Sequence, residues 1–470
     1  MAIRFVLNGS PVEVTDAPLH ITLLQWLRAR GACGTKEGCA EGECGACAVA
    51  LVSQTPGESG AHFEPVNSCL LPLHTVDGRE LVSIEGIAPS AEELHPVQTA
   101  MVAAGGSQCG YCTPGFVVSL FCEYYRPGRQ GFDPESISGN LCRCTGYRPI
   151  ADVAKALPPP TADDPRLVQL RRPVKPLSAA QHAGSGFFRP TSLQEALEVL
   201  AQHPEAIPIA GGTDLIVYAN QRHRRFEALL SLEALPELQQ LSASPDELVL
   251  GAAVPLTRIE RFLAREAPDA RLLHELLPLF SSRLIRNRAT LGGNLGTASP
   301  IGDAAPALLS LGATLELVGR EGSRELALAD FFTGYRRTAL RPGELIRAVK
   351  LRRPLPRVQR FYKVSKRVLD DISTVAGAFA LSLDDQGLVT RLGLAFGGVA
   401  ATPLVAPELE RLALGKPWNE TTLELLSAEA ERLGTPQDDL RGSAAYRRAM
   451  LGKLVQKFFY DSVAAAEAAE

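Results

Sequence analysis

The chain has 470 residues, 46% of them hydrophobic and 21% charged, which is enough for roughly three or four globular domains. Acidic and basic residues number 52 and 48, and the resulting net charge of -4 argues against a nucleic-acid partner, which needs a concentrated basic face. The sequence has no run of about 18 apolar residues, and it begins with a hairpin-like segment around Asn8-Gly9 instead of a signal peptide. We therefore expect a cytoplasmic protein that makes no contact with a membrane.

The composition and hydrophobic periodicity of the sequence change several times along the chain. Residues 1–90 predict short strands and glycine-rich loops, and residues 91–157 predict short helices, including GFVVSLFCEYY. A proline-rich stretch at residues 158–183 is a candidate linker. Residues 184–354 alternate helices such as LQEALEVLAQH with strands, and residues 355–470 combine strands such as LVTRLGLAFGGVA with a long C-terminal helix.

All ten cysteines lie between Cys33 and Cys144, and the rest of the chain has none. A disulfide framework would require an oxidising compartment, and the chain shows no export signal. Clustered cysteines in such a chain indicate metal binding or redox chemistry.

The first group has the spacing C-x4-C-x2-C followed by a distant fourth cysteine, as in plant-type [2Fe–2S] ferredoxins. It consists of Cys39, Cys44, Cys47 and Cys69. Gly38, Gly42 and Gly45 would let this loop wrap tightly around a cluster. The alternative is a structural zinc ion, although zinc sites usually show two short two-cysteine knuckles. Cys33 lies outside the pattern, and we expect it to be a packed neutral thiol.

The second group joins the segment QCGYCTPG to the segment LCRCTGYRP across a predicted helix. It consists of Cys109, Cys112, Cys142 and Cys144. A helix–loop–helix arrangement would bring the two halves together at an anionic cluster. On spacing alone, zinc and a thiol–disulfide redox pair remain alternatives. Cys122, inside the predicted helix, is expected in the core.

Together, the ferredoxin spacing, QCGYCTPG and CRCTGYRPI resemble the iron–sulfur region of the xanthine dehydrogenase and aldehyde oxidase family, the molybdenum hydroxylases. The resemblance covers residues 1–155. It implies a β-grasp [2Fe–2S] ferredoxin domain in residues 1–90 and a helical-bundle [2Fe–2S] domain in residues 91–157. It also implies that Gln108 and Cys144 lie nearest to a molybdopterin.

Two glycine-rich turns could cradle a pyrophosphate with their backbone N–H groups, although each alone is more often a simple turn. They are Ala210–Leu215 and Thr290–Pro300. No G-x-G-x-x-G follows a strand and no P-loop occurs, which argues against Rossmann and P-loop folds. In this order, the two turns resemble the family's flavin domain, which has the non-Rossmann α/β fold of vanillyl-alcohol-oxidase-type proteins and would span residues 184–354. Residues 355–470 resemble the α+β C-terminal domain of the family's flavoproteins.

The resemblance also implies a set of FAD-binding residues. Phe280 would pack near the isoalloxazine, Asp303 would meet the phosphate and ribitol region, and Lys363 would place a positive charge beside the ring. The alternative for Lys363 is a solvated surface lysine. Thr290 stands where family members often have serine. The full set is Ala210, Gly211, Gly212, Thr213, Asp214, Leu215, Phe280, Thr290, Gly293, Asn294, Thr297, Asp303 and Lys363.

By the same resemblance, substrate chemistry takes place on a molybdopterin-binding large subunit, so we expect no catalytic residue on this chain. The expected assembly is a heterotetramer with two copies of each subunit. Electrons from hypoxanthine or xanthine, oxidised to urate, would pass through the second cluster, the first cluster and FAD to NAD+.

Fusion of cluster and flavin modules without the molybdenum part favours the arrangement of bacterial xanthine dehydrogenases. A split hydroxylase for an aldehyde, carbon monoxide or aromatic substrate remains an alternative. So does a pure electron-transfer module without nicotinamide chemistry.

Overall fold

The computed structural model describes residues 2–58, 60–90, 92–182 and 184–467. The predicted domain limits at residues 1, 91, 183 and 470 lie outside the described residues. The chain forms two compact units, the first made of residues 1–236 with 282–289 and the second of residues 237–281 with 290–470. In the described part of the chain, no helix is both long enough and apolar enough to cross a membrane.

The strands and helices follow one another in runs along the chain, the longest being the nine strands from residue 314 to residue 405. The strands are β1 (Ile3–Leu7), β2 (Ser10–Val14), β3 (Ala48–Ser53), β4 (His62–Asn67), β5 (Glu80–Val82), β6 (Ala180–His182), β7 (Phe187–Arg189), β8 (Ala206–Ile209), β9 (Ala228–Ser231), β10 (Leu241–Ala243), β11 (Glu247–Gly251), β12 (Thr314–Gly319), β13 (Gly322–Ala327), β14 (Phe332–Gly334), β15 (Arg337–Thr338), β16 (Leu345–Arg352), β17 (Val358–Val364), β18 (Val375–Leu383), β19 (Val389–Gly397) and β20 (Leu404–Val405). The helices are α1 (Leu23–Ala29), α2 (Pro96–Ala103), α3 (Thr113–Tyr124), α4 (Arg148–Ala156), α5 (Pro165–Leu170), α6 (Leu193–Gln202), α7 (Leu215–Gln221), α8 (Leu256–Glu266), α9 (Arg271–Leu279), α10 (Arg283–Arg286), α11 (Leu291–Gly296), α12 (Ala304–Ser310), α13 (Pro407–Ala413), α14 (Glu420–Ala430) and α15 (Ala444–Glu467).

The first unit begins with a β-grasp sheet in the order β2-β1-β5-β3-β4. The predicted hairpin is confirmed, because β1 and β2 pair in antiparallel register across Asn8 and Gly9, which both have positive φ. Helix α1 packs Leu23 and Leu27 against the buried apolar face of this sheet. Its N-terminus is fixed by a capping box in which Thr22 and Gln25 satisfy each other's backbone N–H groups.

A helical domain follows, in which α2 packs against both α3 and α4. The predicted helix GFVVSLFCEYY is confirmed as most of α3, because its apolar side chains, such as Phe116 and Phe121, are fully buried on all sides. Cys122 is 4% exposed, as expected for a core residue. The stretch expected to be a linker contains α5 and β6.

The remainder of the first unit is a small sheet in the order β6-β7-β9-β8, with parallel pairing of β9 to both β7 and β8. The predicted helix LQEALEVLAQH forms α6, and Ser192 caps it by accepting a hydrogen bond from Glu195 N. The turn at residues 210–214 connects β8 to α7, which places it at the carboxyl end of a parallel strand.

The second unit contains two main antiparallel sheets, in the orders β10-β11-β16-β12-β13 and β17-β18-β19-β20. The second of these packs against α13, α14 and α15 through buried aromatic side chains, including Phe379, Phe396 and Phe458. Long strands with a glycine-rich, apolar sequence such as LVTRLGLAFGG form its centre. The predicted mixed α+β architecture is therefore confirmed.

Candidate metal and cofactor sites

The first cysteine site lies in the loop between α1 and β3, with its fourth cysteine in a short helical turn after β4. The sulfur atoms of Cys47 and Cys69 are 3.4 Å apart, and both residues are only 2% exposed. The thiols of Cys39 and Cys44 are hydrogen-bonded to each other and half-buried. The structure therefore brings these four residues together as two pairs.

In each pair, the hydrogen bond between the thiols favours the thiolate form of one cysteine and raises the pKa of its partner, Cys44 or Cys69. The bond from the Cys44 thiol lowers the pKa of Cys39 to about 5, and the Cys69 thiol likewise lowers the pKa of Cys47. Backbone amides of Glu41 and Cys44 also donate to the Cys39 sulfur, at 3.5 and 3.4 Å. Thiolates are the form that binds metal, and amide donors to sulfur stabilise a more negative cluster.

Three amide side chains hold the backbone of this loop in place. Asn67 Nδ2 donates to Gly42 O at 3.0 Å. From α7, Asn220 Nδ2 donates to the carbonyl oxygens of both Ala40 and Cys69, each at 2.9 Å. Gln221 Nε2, also on α7, donates to the Cys39 carbonyl oxygen at 2.7 Å. The helix that follows the first glycine-rich turn thus anchors the cysteine loop.

The second cysteine site is also organised as two pairs of thiols. Cys109 is hydrogen-bonded to Cys144, and Cys112 to Cys142. Thr145 supports the site with its backbone N–H, which donates to the Cys142 sulfur at 3.4 Å. Cys109 and Cys144 are exposed, whereas Cys142 is buried. This site opens to solvent, and the first site is largely closed.

The pairing of thiols bears on the kind of metal that each site could hold. All described cysteines are free of disulfides. Within the described ranges, no group of three or more His, Cys, Asp or Glu side chains is close enough to hold a single metal ion. A zinc ion needs four ligands around one centre, whereas a [2Fe–2S] cluster divides four thiolates between two irons. Two pairs per site therefore fit the two-iron cluster.

In the first unit, neighbouring atoms pack closely against Gly211 and Gly212 in the first glycine-rich turn. A Cβ on Gly211 would lie 1.8 Å from the Arg288 carbonyl oxygen, so no side chain fits there. Gly212 has a φ of +76°, which favours glycine. Thr213 and Leu215 are half-buried, and Asp214 is exposed. Both glycines are buried, so close packing accounts for their presence, and the phosphate-binding role of this turn stays a prediction.

In the second unit, the turn around α11 contains an unpaired acceptor. Thr290 Oγ1 accepts a hydrogen bond from Gly293 N at 3.0 Å, and Thr297 Oγ1 donates to the Asn294 carbonyl at 2.8 Å. Asn294 Oδ1 is buried and has no hydrogen-bond partner among the described residues. Such an acceptor is costly unless a donor approaches it, which fits a hydroxyl-rich cofactor such as FAD.

A buried ion pair lies near this turn in the second unit. Lys363 Nζ contacts Asp303 Oδ2 at 3.0 Å and the Leu279 carbonyl oxygen at 2.8 Å, and Ser373 Oγ donates to Asp303 Oδ1 at 2.6 Å. The Lys363 side chain is 3% exposed, so it is not a solvated surface lysine. Phe280 follows Leu279 and is half-buried. The expected positive charge of Lys363 is therefore balanced by Asp303.

Four stretches of the chain match known protein families. They are residues 5–73 (2Fe-2S iron-sulfur cluster binding domain), 83–155 ([2Fe-2S] binding domain), 181–354 (FAD binding domain in molybdopterin dehydrogenase) and 360–462 (CO dehydrogenase flavoprotein C-terminal domain). A solved structure of reconstituted CO dehydrogenase from Oligotropha carboxidovorans is 30% identical, with a TM-score of 0.54, over 58% of this chain and 94% of that chain. The chain belongs to the molybdenum hydroxylases.

Other molybdenum hydroxylases are similar over different shares of the chain. Xanthine dehydrogenase of Emericella nidulans is 32% identical over 99% of this chain, and that of Drosophila subobscura is 32% identical over 97%. This chain spans 39% of the length of each. The structure of quinoline 2-oxidoreductase from Pseudomonas putida 86 is 28% identical, with a TM-score of 0.55, over 60% of this chain and 97% of that chain.

The sequence reasoning missed several residues of this molybdenum hydroxylase chain and misplaced one. Asn220 and Ser373 gave no signal, because they lie far in sequence from the groups that they contact. Thr145 could have been found, since it directly follows the Cys142-x-Cys144 pair. The expectation that Cys33 is packed was wrong, because Gly31 (φ +85°) ends α1 and turns the chain outward, leaving Cys33 exposed.

Proposed function

We propose that this chain carries electrons from a molybdopterin to NAD+, through two [2Fe–2S] clusters and FAD, in an enzyme that oxidises hypoxanthine and xanthine to urate. The similarity to xanthine dehydrogenases over 97–99% of the chain supports this substrate class. The CO dehydrogenase and quinoline 2-oxidoreductase structures match only 58–60% of it. The molybdopterin partner and NAD+ are part of the proposal.

The observation that carries the proposal is the difference in burial between the two cysteine sites of the first unit. Cys109 and Cys144 are exposed, as is Gln108, so a partner can approach this site closely. Cys47 and Cys69 are buried in the same apolar cluster as residues around the first glycine-rich turn. The exposed site is therefore suited to receive electrons, and the buried one to pass them inward.

The residues around the exposed site support docking of a molybdopterin-binding subunit there. Tyr111, Leu141 and Tyr147 are exposed by 50%, 36% and 40%, which is unusual for large apolar side chains. An interface with aromatic side chains at its centre would cover them and exclude water from the neighbouring thiols. We place the partner on this surface and expect two copies of each subunit in the assembly.

When bound, the clusters would relay single electrons, and FAD would exchange them for a hydride with NAD+. This chain's residues hold and tune these groups. The eight paired cysteines would hold the irons as thiolates, and the backbone at Gly211-Gly212 would meet the pyrophosphate. In the second unit, the Asp303–Lys363 pair lies beside Phe280, where it would limit the positive charge offered to a flavin.

The test begins with the purified chain. We expect about four irons and four acid-labile sulfides per chain, one FAD, and NADH oxidation with an artificial electron acceptor. The chain co-produced with its molybdopterin partner should reduce NAD+ when given xanthine. Full iron and FAD content without NADH oxidation would contradict the nicotinamide step, and fewer than four irons without sulfide would contradict the whole proposal.

A second candidate is the same electron-transfer role in a hydroxylase for another substrate. The similarity of 58–60% of this chain to the CO dehydrogenase and quinoline 2-oxidoreductase structures favours it. A substrate panel of xanthine, an aldehyde, carbon monoxide and quinoline, given to the assembled enzyme, separates the two. Activity with one of the last three and none with xanthine would establish the second candidate.

A further inference from the structure

One short segment of the first unit, residues 282–289, contacts three parts of that unit. We call it the bridge segment. Arg283 pairs with Asp133 at 3.3 Å, and Arg286, fully buried, pairs with Glu135. Farther along, Asn287 Nδ2 donates to the Pro65 carbonyl oxygen at 2.8 Å, Arg288 pairs with Glu233, and the Arg288 carbonyl lies against Gly211. The segment is thus fixed at most of its positions.

Two adjacent residues of the bridge segment point in opposite directions. Leu284 is fully buried in the core of the helical domain, where it would collide with a Cβ on Gly139. Ile285 is half-buried and packs instead against the apolar cluster that contains Cys47 and Cys69. This alternation places one side chain of the pair at the first cysteine site and the other away from it.

Ile285 lies directly over the cysteine loop. A Cβ on Gly42, between Cys39 and Cys44, would be 2.8 Å from Ile285 Cδ1 and 2.5 Å from Leu70 Cδ1. Leu70 follows the ligand Cys69, and its carbonyl oxygen would be 3.2 Å from a Cβ on Gly212. Ile285 and Leu70 therefore cover the cysteine loop with apolar atoms next to the first glycine-rich turn.

We propose that Ile285, acting with Leu70, keeps water from the cluster at Cys39, Cys44, Cys47 and Cys69, and thereby sets its reduction potential. Reduction adds one negative charge to the cluster, and an apolar neighbour solvates that charge poorly. Solvent exposure and hydrogen bonds to sulfur are known determinants of cluster potential. Ile285 would act without binding the cluster itself, and the inference rests on the proposed clusters.

The test compares Ile285→Thr with Ile285→Val, because threonine and valine have the same shape and differ in one hydroxyl group. Redox titration of the full chain, followed by electron paramagnetic resonance, gives the midpoint of each cluster. A Cys112→Ser variant assigns the signals, since it removes the second cluster. We expect Ile285→Thr to favour reduction of the first cluster about tenfold, equivalent to about +59 mV for one electron, and Ile285→Val to shift it much less.

Leu284→Ala is the matched control, because this neighbouring residue faces away from the first site. It should leave the midpoint of the first cluster unchanged. Equal midpoints in Ile285→Thr and Ile285→Val, or equal shifts of both clusters, would overturn the inference. If threonine prevents folding, Ile285→Ala compared with Ile285→Leu tests the same point, with a raised midpoint expected only for alanine.

The inference and the proposed function fail in different ways. A wild-type chain with fewer than four irons contradicts the proposed function. A chain with four irons and two normal signals, whose first midpoint is insensitive to Ile285, contradicts only the role of this residue.

Discussion

The ion pair of Lys363 and Asp303 shows how a neighbouring carboxylate can neutralise a positive charge that was expected to act on a cofactor. Both side chains are buried, with exposures of 3% and 8%. Ser373 adds a hydrogen bond to Asp303, and the Leu279 carbonyl accepts one from Lys363. Removing two charges from water is costly, and these additional hydrogen bonds help to offset the cost. The pair contributes little net charge, which differs from the free positive charge that the sequence suggested for Lys363.

We predict that Asp303→Asn strongly destabilises the chain, because Lys363 would keep a buried charge without a counter-charge. Breaking a buried pair in this way costs about 3 to 5 kcal/mol. Urea unfolding of the variant and the wild type measures the difference. The double variant Asp303→Asn with Lys363→Met removes the orphaned charge, and it should recover part of the loss. Wild-type stability in the single variant would contradict this account of the pair.

At the scale of elements, a tyrosine at the end of α3 connects two other helices in the first unit. The Tyr125 hydroxyl donates to the Asp164 carboxylate, which caps α5, at 3.0 Å. His95 Nδ1 caps α2 by accepting from Val97 N at 3.2 Å, so its Nε2 carries the proton and donates to Tyr125 at 3.0 Å. This assignment requires a neutral imidazole.

The folded chain should therefore lose stability as the pH falls below about 6.5. Burial lowers the pKa of His95 to about 4, although the Asp164 carboxylate opposes this shift, and a histidine in the unfolded chain titrates near 6.5. Between these values the unfolded state binds more protons, so stability decreases as the pH drops. For His95 the loss from pH 7 to pH 5 is about 2 kcal/mol.

Urea unfolding at pH 7 and pH 5 measures this loss. His95→Gln keeps a polar cap but cannot titrate, so its stability should fall less over the same interval. Burial also lowers the pKa of His74 to about 4, so His74 adds the same pH-dependent loss of stability to the wild type and to His95→Gln. Equal losses in the variant and the wild type would show that His95 does not control this pH dependence.

These elements also show what the sequence could and could not predict. The cysteine spacing predicted which residues meet, because three ligands of the first site lie in one loop and the second site is built from two short segments. Periodicity predicted α3, α6 and the hairpin. The contacts of Asn220 with the cysteine loop and of Ile285 with Gly42 could not be predicted, since they join residues about 180 and 243 positions apart in a pattern with no local signature. Long-range contacts of this kind depend on how the domains pack.

At the scale of the whole molecule, the two cysteine sites should have separable roles, because they differ in burial and in neighbours. The second site is exposed at Cys109 and Cys144, and the first is enclosed beside Gly212. In the proposed function, electrons from a molybdopterin partner would enter the chain at the exposed second site and would depend on it. In the same proposal, electrons that NADH delivered to FAD would not pass through the second site.

We predict that Cys112→Ser abolishes xanthine-dependent reduction of NAD+ in the assembled enzyme and leaves NADH oxidation with a flavin-directed acceptor near the wild-type rate. Serine is a poor ligand for iron, so the variant should hold about two irons per chain instead of four. Cys33→Ser is the matched control, because this exposed cysteine belongs to neither site, and it should retain both activities and all irons. Retained xanthine activity in Cys112→Ser, with its second cluster confirmed absent, would show that electrons reach FAD by another route. Loss of NADH oxidation as well would show that the flavin part of the chain depends on the exposed site. That result would contradict the separate roles predicted for the two sites.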